Sequence, residues 1–202
     1  MHTLFITGIG TDIGKTLVSA IITEKLQTDY WKPVQAGGLD HTDTDEVKGL
    51  ISNTKSKFHP ESYRLNTPAS PHYAAAVDSI IIDLNKIILP ETENTLIIEG
   101  AGGIMVPLNE KELVLDLIEK LGAEVILVSR NYLGSINHTL MSYEVLKSRN
   151  LKITGIIFNG ESTPASEDYI LNYTGLKCLG KIPMAKQIDK NFVMQCTGFI
   201  DL

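Results

Sequence analysis

Thr3-Leu4-Phe5-Ile6-Thr7-Gly8-Ile9-Gly10-Thr11-Asp12-Ile13-Gly14-Lys15-Thr16 is the stretch from which the fold can be read. Its first five residues run without polar alternation, as suits a parallel strand covered on both faces. The glycines that follow allow a tight turn, so successive backbone N–H groups can face a phosphate chain at a helix N-terminus. Lys15 is then placed to reach the outer phosphates, and the Thr16 hydroxyl to ligate magnesium. The strict pattern G-x-x-x-x-G-K-[ST] requires glycine at position 9, where Ile9 stands between Gly8 and Gly10. A Gly-Lys-Thr tripeptide alone is a weak signal and fits a plain glycine-rich turn. Its context, with an apolar strand before it and the helix-forming residues 17–26 after it, makes phosphate binding the better reading.

Outward from this loop, short apolar runs alternate with helical patterns. Residues 96–99, 125–129 and 153–158 read as further buried strands, with a shorter one near 30–34. Residues 112–121 place Leu113, Leu117, Ile118 and Leu121 on one helical face, and 135–148 behave similarly. Thr163-Pro164 reads as an N-cap followed by proline at the first helical position. This alternation predicts an α/β fold: one domain over residues 1–202, a doubly wound, mainly parallel sheet with helices on both faces, which the phosphate loop makes P-loop NTPase-like. Residues 56–71, with Pro60, Pro68 and Pro71, read as a long ordered loop near the site.

Bulk properties exclude several classes. The chain has 202 residues, 43% hydrophobic, with a net charge of −6. No basic stripe suggests nucleic acid, and no apolar run approaches the roughly 18 residues that span a bilayer. No charged segment precedes an apolar run at the start, so no secretory signal is expected. Cys178 and Cys196 read as free thiols of a reducing cytoplasm.

Four more stretches carry chemistry-bearing residues. Trp31-Lys32-Pro33-Val34-Gln35 sets a lysine where proline takes the chain out of the sheet, at the edge where ligands gather. Thr42-Asp43-Thr44-Asp45 reads as an N-cap with acidic first-turn residues, one of which also suits magnesium. Glu99-Gly100-Ala101-Gly102-Gly103 puts a carboxylate at a strand end, suited to the same metal, with backbone N–H groups beyond it open to an anion. Gly134-Ser135-Ile136-Asn137-His138-Thr139 starts a helix able to hold a carboxylate, with His138 read as structural. Asn159 fits a turn cap or an adenine contact, and spacing does not choose between them.

In order and spacing, these stretches resemble the dethiobiotin synthetase family, as do Ser70-Pro71-His72 and Leu133. The resemblance runs from residue 3 to about 184 and is thin beyond Met184. It implies a homodimeric, cytoplasmic, ATP-dependent ligase of biotin biosynthesis. Its substrates would be 7,8-diaminononanoate, carbon dioxide and ATP, with neither nucleic acid nor membrane as partner. By this resemblance Thr16, Asp45 and Glu99 hold magnesium, and Lys15 meets the phosphates. Asp12, Ile13, Gly14, Lys15, Thr16 and Leu17 cradle the phosphates, with Asn159 and Pro183 at adenine. Lys32, with Thr11 beside it, meets a carbamate. Gly102 completes the substrate site, and Gly134 and Asn137 hold the substrate's distant carboxylate across the dimer interface.

The chain departs from the family pattern at Gly10, usually aspartate, at Asp12, usually glutamate, and at Ala36, often a hydroxyl residue. Rival readings weaken on the same residues. Regulatory ATPases of this fold usually carry lysine at the position of Gly10. Cobyrinate-type amidotransferases need a further domain. A nucleotide binder without turnover has no use for Lys32 or Glu99.

Overall fold

Seven strands share one sheet in the computed structural model, which describes residues 2–202. They are β1 (Thr3–Gly8), β2 (Asp29–Trp31), β4 (Phe58–His59), β6 (Leu96–Gly103), β7 (Glu124–Arg130), β8 (Ile153–Asn159) and β9 (Cys178–Ile182). A second, small sheet pairs β3 (Val34–Ala36) with β5 (Tyr63–Leu65). The main sheet has the order β4-β2-β6-β1-β7-β8-β9, and its neighbouring strands run parallel. The helices are α1 (Lys15–Leu26), α2 (Asp43–Leu50), α3 (Pro71–Val77), α4 (Val114–Leu121), α5 (Ser135–Ser148), α6 (Pro164–Thr174) and α7 (Lys190–Cys196).

Alternate side chains of the central strands enter opposite layers, which is why these strands are apolar throughout. Ile6, Ile97 and Ile126 pack in one core with Val18, Ile21 and Ile22 of α1. Phe5, Ile98 and Val125 belong to the other, with Leu117 and Ile118 of α4. Each such side chain, fully buried, contributes roughly 2 kcal/mol relative to exposure. The strand order also fixes the site. From β1 the chain crosses to β2, returns to β6 beside β1, then continues on β1's other side with β7. The carboxyl ends of β1, β6 and β7 therefore meet at a topological switch, where open α/β sheets hold ligands.

Three expectations change. Residues 30–34 are not one strand: β2 ends at Trp31, Lys32 and Pro33 lead out, and β3 opens the second sheet. Proline has no N–H for the ladder, so the break falls there. Residues 56–71 are not only loop, since β4 extends the main sheet and β5 pairs with β3. Strands of two or three residues are too short to carry a periodic signature. Thr163 precedes α6, but its hydroxyl makes no cap bond; its N–H donates instead to Glu167 Oε1 at 2.9 Å.

Candidate active site

The phosphate loop joins β1 to α1. Ile9 N–H still donates to Val128 O at 3.1 Å, and the Ile9 side chain enters the core, so position 9 has no need of glycine. Asp12 takes a left-handed φ of 56°, uncommon for a residue with a side chain. Gly14 follows at φ 95°, and a Cβ there would lie 2.0 Å from Asn159 Nδ2. The backbone therefore favours glycine here, and a side chain would push the Asn159 amide off the loop. Asn159 Nδ2 donates to Ile13 O at 2.9 Å, tying the end of β8 to the loop. Lys15 Nζ donates to Gly10 O at 3.0 Å. Burial depresses the Lys15 pKa, with Glu99 working against that and Lys32 adding to it.

Beside the loop lies a cluster of opposite charges. Glu99, on β6, is 1% exposed. Its Oε1 accepts from Thr16 Oγ1 at 2.9 Å and from Lys32 Nζ at 3.2 Å, while Oε2 accepts from Tyr30 OH at 2.9 Å. Lys32 also ion-pairs with Asp43 at the first turn of α2. Burial opposes the charge on Lys32, but Glu99 and Asp43 outweigh it and hold its pKa above the usual lysine range. Burial and the Glu99 charge push the Tyr30 hydroxyl well above its ordinary value. Burial, then Asp43 and Glu99, raise the pKa of Glu46, three positions beyond Asp43 on the same face of α2.

One predicted ligand does not belong to this cluster. Asp45 is exposed, and its carboxylate accepts from Thr42 N–H at 3.0 Å and Thr42 Oγ1 at 2.8 Å, closing the capping box of α2. Asp43 is the carboxylate of that stretch that faces Lys32 and Glu99. The two acids are two positions apart on a helix, so they cannot share a face. The donor set fits magnesium: a hydroxyl and two carboxylates are hard oxygen ligands, and magnesium beside phosphates uses one or two carboxylates. A cation, the Lys32 ammonium, already bridges those two carboxylates.

A cleft of about 940 Å³ opens over these groups. Of the residues singled out in the sequence, Thr11, Asp12, Gly14, Lys15, Thr16, Leu17, Lys32, Glu99, Gly102, Asn159 and Pro183 line it. Ile13 is buried beneath it, offering only backbone. Gly134 and Asn137 are not there; they line a separate cavity of about 780 Å³ at the start of α5. His138 accepts or donates at Tyr132 OH, 2.7 Å away, as a structural histidine would. Residues the sequence reading passed over are Tyr30, Glu46 and Arg130. Arg130 directly follows the strand expected over residues 125–129, at the ligand edge, so its position was a usable signal, whereas the contact of Tyr30 with Glu99 left no local trace.

Sheet order, phosphate loop and carboxylate–lysine cluster define a nucleotide-binding protein of the P-loop NTPase class. The septum site-determining protein MinD of Pyrococcus horikoshii, solved with Mg-ADP, superposes with a TM-score of 0.65 over 96% of this chain and 85% of its own, at 16% identity, a likeness of fold alone. The family described as AAA domain matches residues 2–191. The ATP-dependent dethiobiotin synthetase BioD of Christiangramia forsetii is 53% identical over 95% of this chain and 92% of its own. That of Cytophaga hutchinsonii is 52% identical over 96% and 94%. The chain belongs to the ATP-dependent dethiobiotin synthetase family.

Proposed function

We propose that the chain carboxylates 7,8-diaminononanoate and closes its cyclic urea, forming dethiobiotin as ATP is cleaved to ADP and phosphate. One amine adds to carbon dioxide and loses a proton, giving a carbamate. A carbamate oxygen attacks the γ-phosphorus and ADP leaves, so a mixed carbamic-phosphoric anhydride forms. The second amine attacks the carbamate carbon, and phosphate departs as the ring closes.

The observation that carries this reading is the position of Lys32, buried between Glu99 and Asp43 and next to Thr16. Two anions, a carbamate and a triphosphate, must be brought together, and fixed positive charge beside the loop lowers the cost of that approach. Lys15 serves the outer phosphates and the N–H groups of residues 12–17 cradle them. Lys32, with Thr11, receives the carbamate, and Gly102 borders it. Thr16, Glu99 and Asp43 would hold magnesium, which when bound neutralises charge on the phosphate oxygens. Asn159 and Pro183 flank the base.

Gly134 and Asn137 are proposed to serve the cleft of a second copy in a homodimer. The start of α5 is suited to a carboxylate, it lies apart from this chain's own cleft, and Leu133 beside it is fully exposed. Full diamine affinity in a true monomer on dilution would contradict that arrangement. No helix among the described residues is long and apolar enough to cross a membrane, and two free cysteines support a reducing cytoplasm.

The test is to supply ATP, magnesium, the diamine and isotopically labelled bicarbonate, and identify the product by mass spectrometry. One label in a cyclic urea, with one ADP formed per ring, is the expected outcome. ADP formed without labelled product would refute the reading.

A further inference from the structure

Arg130 has no part in the chemistry above, yet it stands at the carboxyl end of β7, between the strands that carry the phosphate loop and Asn159. Its Nη1 donates to Asp12 O at 3.2 Å, the carbonyl of the left-handed residue in the loop. One hydrogen bond uses one of five guanidinium donors. Arg130 makes no ion pair among the described residues, and its side chain is exposed on the cleft wall. A surface arginine usually finds a carboxylate or runs into solvent; this one turns along the Asn159-Gly160 turn. Its Cγ and Nε lie 3.6 and 3.7 Å from the point where a Cβ on Gly160 would sit, and Met184 Sδ lies 3.6 Å from the same point. Glycine at 160 therefore leaves open a gap with a guanidinium on one side and a thioether on the other. Ile188 adds a half-exposed apolar side chain to this end of the cleft.

The cleft is thus divided. Lys15, Thr16, Lys32, Asp43 and Glu99 gather the charges at one end, suited to phosphates and metal. Arg130, Met184 and Ile188 give the other end one planar cation and apolar surface. That combination suits an aromatic base, since guanidinium stacks on π-faces and sulfur makes favourable contacts with ring edges.

We infer that Arg130 is a nucleotide-binding residue that covers the base of ATP, while its bond to Asp12 fixes it to the phosphate loop. The inference rests on the ATP site proposed above and adds a residue to it. It distinguishes Arg130 from Lys15, whose partner is the phosphate chain and not the base.

The experiment measures binding of ATP and of inorganic tripolyphosphate, each with magnesium, to the full-length wild type, Arg130→Ala and Arg130→Lys by calorimetry. Arg130→Ala weakens ATP about tenfold and changes tripolyphosphate less than twofold, because only ATP carries a base. Arg130→Lys keeps the charge but not the plane and recovers only part of the loss. Arg130 is exposed, and thermal melts of the variants check that both fold. Unchanged ATP affinity in Arg130→Ala would overturn the inference. Equal weakening of ATP and tripolyphosphate would overturn it too, placing Arg130 at the phosphates. A wild type that binds tripolyphosphate but gains nothing from the base would sink it as well, leaving the reaction reading intact. Failure to bind either probe would reach the proposed function itself and this inference with it.

Discussion

Thr16 Oγ1 donates to Glu99 Oε1 at 2.9 Å, joining the first turn of α1 to the carboxyl end of β6 across 83 positions of sequence. The pair sets a loop hydroxyl beside a buried carboxylate, the hard oxygen groups proposed above to hold a divalent cation. Glu99→Gln keeps the shape and removes the charge. It should weaken Mn2+ binding, measured by electron paramagnetic resonance in the presence of ADP, by at least tenfold. Unchanged Mn2+ affinity would take Glu99 out of the metal site.

Variants at Asp43 and Asp45 test the proposal that metal binding and helix capping fall to different acids within one turn of α2. Asp43→Asn should remove most metal-dependent turnover, since Asp43 faces Lys32 and the cleft. Asp45→Asn should lower the melting temperature slightly and leave kcat near wild type, because its carboxylate is occupied with Thr42. Steady-state kinetics and thermal melts on the two variants decide it. The reverse pattern would restore Asp45 as ligand.

Lys15→Ala and Lys32→Ala should each cost about 3 kcal/mol of transition-state stabilisation, the scale of one lost electrostatic group. Lys32→Ala should leave ATP affinity largely intact, since Lys32 is assigned to the carbamate. Fluorescent nucleotide titration alongside kcat/KM separates the two. Lost ATP binding with normal turnover per bound nucleotide would show that the role of Lys32 is misassigned.

Tyr30→Phe tests how Glu99 is held. Tyr30 is fully buried and its hydroxyl is the partner of Glu99 Oε2. Removing it should cost about 1.5–3 kcal/mol of stability, the scale of a hydrogen bond to a charged group. The KM for magnesium should rise several-fold with little change in kcat at saturating metal. A variant with lower stability but an unaltered magnesium requirement would reduce Tyr30 to a packing role.

Glu167, buried under the loop before α5, gives a pH signature. It accepts from Asn131 Nδ2 at 2.6 Å, Thr163 N–H at 2.9 Å and Ser162 Oγ at 3.1 Å, and pairs with Lys181 at 2.6 Å. Burial raises its pKa, but Lys181, then Thr163, Asn131 and Ser162, outweigh that and leave it lowered. A carboxyl depressed in the folded state adds stability above its unfolded value of about 4.3 and loses it as pH falls through the folded value. Glu167→Gln should therefore be destabilised by roughly 2 kcal/mol at neutral pH, with the gap closing in acid. A gap independent of pH would contradict this.

Much of the site was legible because its residues sit beside strong local signals. Lys15 and Thr16 follow a buried strand, Glu99 ends another, and Lys32 precedes a proline. Apolar periodicity likewise located β1, β7 and β8 to within a residue or two. What escaped depends on tertiary geometry. Asp43 and Asp45 are equivalent in composition, and only the turn of α2 decides which faces Lys32. Tyr30 reads as an ordinary strand aromatic until β2 is set beside β6. The strands β4, β5 and β9 are short, and β9 carries Gly180 and the charged Lys181, so no run of apolar residues marks them.

The most direct measurement of the central claim is phosphate release from ATP and magnesium, with the diamine and bicarbonate supplied separately and together. Release strongly stimulated only when both are present is the predicted result, because γ-phosphoryl transfer here requires a carbamate as acceptor. Steady release indifferent to the diamine, or none under any condition, would contradict it.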